Sequence, residues 1–188
     1  SITHKNLDRA AELVKSFKQV AVDQSSGSIR LLNMHEHIHD VLMSLRPQLK
    51  KVKHHFEVDC DKSIAATSDA GALSQILTNF IINSIIHGFS GIDEGHVNIS
   101  VSLEKDMIHL VYKDDGVGMS PEHLAKIFEP FFTTKRGQGG SGLGTHIIYN
   151  QVNQGLHGRS KPAANPMKAF SSILYFPRRF LTNYIPKP

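Results

Sequence analysis

The 188-residue sequence predicts an α+β fold, a mixed sheet covered by helices on one face and preceded by a helical arm. Three observations carry that prediction. Leu7, Ala10, Val14, Phe17 and Ala21 recur at spacings of three and four, a heptad-like seam over residues 3–22. The run from Asp69 to His87 is a longer helix, apolar on most of its circumference and therefore expected to be buried. "HVNISVSLE" and "MIHLVYKDD", separated by Lys105 and Asp106, read as an antiparallel hairpin. Helices and strands mixed around one core make a layered domain.

The remaining elements follow in order. Asp23–Ser28, "DQSSGS", breaks the helical period and reads as a linker, and "SIRLLN" as a short extended piece. Met34 to Leu45 is helical in period until Pro47 disturbs it. "HHFEVDC" alternates like a strand, and Ser68 or Asp69 caps the long helix. Pro121 begins a short helix, the glycine-rich stretch Lys135–His146 follows, and a helix runs from about Gly142 to Gln154. "AFSSILYFP" is the last strand.

Composition narrows the function classes. With 40% hydrophobic and 20% charged residues the chain is globular. No apolar run reaches the roughly twenty residues a bilayer requires and no signal-peptide pattern opens the sequence. The expectation is a cytoplasmic domain, free or as the soluble part of a membrane-bound sensor. The single cysteine, Cys60, rules out an internal disulfide. A formal charge of +4, with basic residues scattered apart from "LKKVKHH" and "PRRF", does not indicate a nucleic-acid partner.

Three segments carry chemistry. On the long helix Gln75, Asn79, Asn83 and His87 recur every four residues and share a face. Unpaired buried amides cost on the order of 1–3 kcal/mol each, so this stripe faces either a ligand or metal, or solvent. In "YKDDGVGMS", Asp114 ends a strand, and Gly116 and Gly118 permit close backbone approach or positive φ beside its carboxylate; the alternative is a surface turn. In "FEPFFTTKRGQGGSGLG" phenylalanines anchor one end of a loop whose glycines run into a helix N-terminus, suited to a hinged lid over phosphates. Gly137, Gly139 and Gly142 satisfy G-x-G-x-x-G, but no alternating strand precedes them and "SKPAANPMK" downstream holds no carboxylate, so the dinucleotide reading fails. No G-K-[ST] follows either, which removes the Walker A reading.

Taken together and in this order, the segments resemble the GHKL superfamily of ATP-binding domains, and most closely the catalytic domain of bacterial sensor histidine kinases. The residues that match are Asn79 and Asn83 (N box), Asp114, Gly116 and Gly118 (adenine-binding turn), Phe128, Pro130, Phe131 and Phe132 (F box), and Gly140, Gly142 and Gly144 of the ATP lid. The resemblance implies a two-layer α/β sandwich, the Bergerat ATP-binding fold, over residues 26–188, with 1–25 as the second helix of a dimerisation and phosphotransfer hairpin. It implies ATP and Mg²⁺ as ligands, with Asn83 coordinating the metal, Asn79 supporting it, and Asp114 accepting from the adenine amine. His87 and Lys135 become phosphate neighbours, and Phe131, Thr134, Leu143 and the lid glycines nucleotide contacts. The implied partners are a histidine-bearing hairpin domain of the parent kinase, a response regulator receiver domain, and a second copy through the N-terminal helix.

Two departures qualify the match. The family's glycines after the lid helix are displaced to Gly155 and Gly158 and the later one is absent, so the third sheet strand is expected to be irregular. ATPases of the same fold place a glutamate four residues before the magnesium asparagine, as the base for water. Here that position is Asn79, which cannot take a proton, so transfer to a protein is expected over hydrolysis. A GHKL-type ATPase, a protein serine kinase and a non-catalytic nucleotide-binding module are the alternatives. His35 and His39, at i,i+4, imitate a metal pair or an acceptor motif but have no third ligand and follow the heptad helix, so a solvated helix face is expected. His4 is the only histidine in that helix, so self-phosphorylation of this chain is not expected.

Overall fold

A computed structural model of the protein describes residues 29–133, 142–165 and 169–179. The helical arm at 3–22 and the lid positions Thr134, Lys135 and Gly140 lie outside the described residues. The elements run β1 (Ile29–Asn33), α1 (Met34–Ser44), α2 (Arg46–Leu49), β2 (His55–Cys60), β3 (Ala65–Asp69) and α3 (Ala70–Asn83). They continue with β4 (His96–Glu104), β5 (Met107–Asp114), α4 (Pro121–Ala125), α5 (Gly144–Asn150), β6 (Arg159–Asn165) and β7 (Ala169–Pro177).

Local chemistry explains the boundaries. The Asn33 side chain caps α1 by accepting from Glu36 N, and Asp69 caps α3 by accepting from Ala72 N at 3.0 Å. α1 ends at Ser44, before Pro47 as expected, and Pro47 then sits in the first turn of the short α2, where a missing N–H costs nothing. The β4–β5 hairpin turns through two residues, with Lys105 in the left-handed region at φ 56° and Glu104 opposite Met107. α3 and α5 each run on into one wider π turn, Ser84–Gly88 and Gln151–Gly155.

The large sheet has the order β2-β4-β5-β7-β6, parallel only between β2 and β4, and β1 pairs with β3 in a separate two-stranded ladder. Val97, Ile99 and Val101 on β4, Ile108, Leu110 and Tyr112 on β5, and Leu174 and Phe176 on β7 are buried against Leu73, Ile76, Leu77, Phe80 and Ile81 of α3. α1 adds Met34 and Ile38, and the α5 run adds Ile148 and Val152. Each such side chain contributes about 1.5–3 kcal/mol on burial. Cys60 lies in this core, and burial pushes its thiol up to about 11. Arg178 joins the ladders, donating from its Nε to Ala65 O at 3.0 Å and from its backbone N to Asp106 O at 2.8 Å.

The mixed sheet with helices is the α+β fold the sequence predicts. Two elements differ from expectation. β3 was not foreseen: five residues of mixed polarity form a strand because β1 lies opposite in register. The third strand, expected to be irregular, is the seven-residue β6, paired with β7 from Arg159–Tyr175 to Asn165–Ala169. Gly158 permits its start, since a Cβ there would fall on the Tyr175 carbonyl. Among the described residues no helix is long and apolar enough to cross a membrane.

Candidate functional site

A cavity of about 780 Å³ opens along α3, within the range that holds a nucleotide-sized ligand. All four members of the polar stripe line it, so the stripe faces a cavity and not bulk solvent. Part of its hydrogen bonding is met within the protein. Gln151 Nε2 donates to Gln75 Oε1 at 2.7 Å, tying the α5 run to α3, and Asn79 Nδ2 donates to Gln75 O at 3.0 Å. One of the two Asn79 amide protons is thereby used, and the Asn79 oxygen lies on the Gly144 side of the cavity. Gly144, at the start of α5, closes this wall: a Cβ there would lie 3.2 Å from Asn83 Oδ1 and 3.4 Å from Asn79 Oδ1. Any side chain at Gly144 would press on the two amide oxygens.

The other end is built around Asp114. Its carboxyl is 2% exposed, at the C-terminus of β5, and it also lines the cavity. Ser84 Oγ donates to Asp114 Oδ2 at 2.6 Å and Gly116 N donates to Oδ1 at 3.1 Å. Tyr112, fully buried and stacked on Phe80 with ring centroids 4.9 Å apart, donates to Ser84 Oγ at 2.8 Å. Burial raises the Asp114 carboxyl above the usual carboxylate range, opposed by the Ser84, Gly116 and Phe170 hydrogen bonds to the ionised form.

The two glycines of the turn have different reasons. Gly116 is needed for close approach, because a Cβ would strike the Gly88 carbonyl, which accepts from Val117 N at 2.8 Å. Gly118 is needed for its φ of 68°. The lid base is a clasp: Phe131 N donates to Gly142 O at 3.0 Å, with both residues left-handed at φ 66° and 69°. A Cβ on Gly142 would meet the Phe131 backbone.

Of the sequence-predicted residues, Asn79, Asn83, His87, Asp114, Gly118, Gly142, Leu143 and Gly144 line the cavity. Gly116 supports Asp114 from behind, and Phe131 stands at the lid base, 49% exposed, while Phe132 and Thr133 line the cavity in its place. Sequence reasoning missed Ser84, Tyr112 and Gly88. Their signals were a hydroxyl next to Asn83 in an apolar helix, and a tyrosine two residues before Asp114 on the same strand face. The rings of His35 and His39 lie 4.4 Å apart on α1, tilted at 51°, and no group of three or more potential metal ligands of the His, Cys, Asp or Glu type occurs among the described residues.

Comparison with known proteins places this geometry. Residues 68–178 match the family model of histidine kinase-, DNA gyrase B-, and HSP90-like ATPases. The chain is 27% identical over 182 residues to Sporulation kinase A of Bacillus subtilis, covering 95% of this chain and 28% of that protein. It is 38% identical over 82 residues to Anti-sigma F factor of Bacillus cytotoxicus, covering 44% of this chain and 55% of that protein. The chain thus spans between 22% and 55% of the curated relatives it matches. The fold is that of the catalytic domain of histidine kinase ThkA, with a TM-score of 0.68 at 23% identity over 81% of this chain and 97% of that one. ThkA in complex with response regulator protein TrrA matches at a TM-score of 0.68 and 19% identity, over 90% of this chain and 49% of that one.

Proposed function

This chain belongs to the histidine kinase-, DNA gyrase B- and HSP90-like ATPase family, and we propose that it is the ATP-binding catalytic domain of a sensor histidine kinase. The observation that carries the reading is that Asp114 and the Asn79–Asn83 pair line one cavity along α3. Adenine lies at the Asp114 end, its exocyclic amine donating to the carboxylate. The triphosphate then runs beside His87 and Asn83 towards Asn79, under Leu143, Gly144 and the lid. Thr134, Lys135 and Gly140 belong to that lid.

Magnesium fits the donors present. Two amide oxygens converge near Gly144, and Mg²⁺ needs only one or two protein oxygens when phosphates and waters complete its octahedron. Asn83 Oδ1 would hold it, with Asn79 beside it, and the ion would neutralise phosphate charge. The domain's own residues orient the nucleotide and present the γ-phosphorus. A histidine ring nitrogen from a separate hairpin domain attacks, the bond to the β–γ bridging oxygen breaks, and ADP leaves. Asn79 offers no base for water, which favours transfer over hydrolysis.

On this reading residues 1–25 are the second hairpin helix, a site for association with a second copy, and 26–188 the catalytic domain. The phosphoryl group passes on to a response regulator, a partner supported by the likeness to ThkA in its complex with TrrA. The similarity to Anti-sigma F factor supports a second reading, a protein serine kinase of the same fold. Incubation with γ-labelled ATP, Mg²⁺ and a hairpin domain from the parent protein separates them. Acid-labile label on the hairpin histidine is the expected result. Acid-stable phosphoserine on a protein substrate would favour the second reading, release of phosphate alone an ATPase, and binding without either a nucleotide-sensing module.

A further inference from the structure

The geometry points to Ser84 and Tyr112 as positioning residues that lock Asp114 as a hydrogen-bond acceptor and so select a 6-aminopurine over a 6-oxopurine nucleotide. The inference rests on the nucleotide reading above. It starts from proton counting along three buried side chains. An ionised carboxylate has no proton, so at the 2.6 Å contact Ser84 must give its only one to Asp114 Oδ2. The Ser84 oxygen can then only accept from Tyr112, at 2.8 Å, so that phenol must donate. The direction Tyr112 to Ser84 to Asp114 is therefore set by the charge at its end.

The chain is rigid at both ends. Tyr112 is fully buried and stacked on Phe80, and Ser84 sits at the first position of the π turn that closes against Gly88. Oδ1 is held by Gly116 N. The lone pairs that remain on the carboxylate accept from a ligand and cannot donate. An exocyclic amine matches them, whereas a keto oxygen at the same position meets acceptor with acceptor.

The groups that face Asp114 leave few other influences on its charge. The π turn after α3 offers neutral Ser84 and Gly88, β7 offers the Phe170 backbone, and β5 offers Tyr112 and the following Asp115, whose charge raises the Asp114 carboxyl further. Asp115 itself faces His96, its Oδ2 3.2 Å from His96 Nδ1. Removing the Ser84 hydroxyl removes one stabilising donor from the ionised form, so protonation moves to higher pH. A protonated Asp114 presents an O–H and loses the preference for an amine.

The test is calorimetric binding of ATP and GTP by the full chain, followed from neutral pH downward through the acid limb of ATP binding, since burial raises the Asp114 carboxyl. Ser84→Ala is expected to weaken ATP about tenfold, the loss of one charge-assisted hydrogen bond, and to move the acid limb of ATP binding up by about one pH unit. GTP binding should change less than twofold. Tyr112→Phe should weaken ATP about threefold, and Ser84→Thr should restore the parent profile. Parent-like ATP affinity in Ser84→Ala overturns the inference, and so does an equal loss for ATP and GTP without a pH shift, the mark of a merely structural role. A parent chain that binds neither nucleotide overturns the nucleotide reading itself and this inference with it.

Discussion

The two ends of the cavity are built differently. At the Asp114 end, side chains that are also core residues make the site: Tyr112 is fully buried, Ser84 and Asp114 are each 2% exposed, and each polar atom in the chain has a stated partner. At the asparagine end, Asn79 and Asn83 are half-buried, and the amide oxygen of each lies close against Gly144, 3.4 and 3.2 Å from where a Cβ would stand. The first end is completed by folding, because leaving a buried carboxylate or phenol unpaired would cost several kcal/mol. The second keeps oxygens uncommitted, so its geometry is completed by what binds there. A change at the Asp114 end should therefore disturb both stability and recognition, and a change at the asparagine end recognition alone.

The sharpest break in that contrast is Asp114→Asn. The amide cannot accept from Ser84, Gly116 and a purine amine together, so ATP affinity should fall on the order of a hundredfold, about 3 kcal/mol. Equal binding of ATP and GTP by the parent chain would remove the adenine role of Asp114. Next is a glycine pair. Gly116→Ala drives a methyl into the Gly88 carbonyl and should destabilise the fold by about 2–3 kcal/mol in denaturant titration. Gly144→Ala meets only two flexible amide tips and should cost under about 1 kcal/mol of stability while weakening ATP in Mg²⁺. If both alanines destabilised equally, the two ends would not differ as described.

Asn83→Ala should lower ATP affinity about tenfold in Mg²⁺ and remove its dependence on the metal, without shifting the melting temperature by more than a degree or two. The smallest expected effect is on stability against pH. Asp114 has its folded value raised, so between the ordinary carboxylate value and the raised one the native state keeps a proton the unfolded state has lost. Stability of the nucleotide-free domain should fall as pH rises through that window, and Asp114→Asn should flatten the slope.

Legibility in the sequence followed the same division. The Asn79–Asn83 stripe and the Asp114 turn were readable because they depend on local spacing and on residue types that apolar segments rarely carry. A four-residue repeat drifts about 40° per step on an α-helix. His87 nevertheless lines the cavity, with the helix opening into the wider i→i+5 turn at Ser84, which no local pattern announces. Ser84 and Tyr112 were missed because their meeting joins residues 28 apart and depends on how α3 lies over β5. β3 was hidden for a related reason: "AATSD" has no strand character until β1 supplies its register.

Cys60 has a practical consequence. A thiol held near 11 carries roughly a hundredfold less thiolate at pH 8 than an ordinary cysteine, and the surrounding core shields it from reagent as well. Since the chain has no other cysteine, alkylation counts the moments at which the domain comes apart. A ligand that binds only the folded form lengthens the interval between those moments by a factor of one plus the ratio of free ligand concentration to Kd. One buried sulfur, remote from Asp114 and the asparagines in sequence, thus serves as a clock for occupancy of a cavity it does not line.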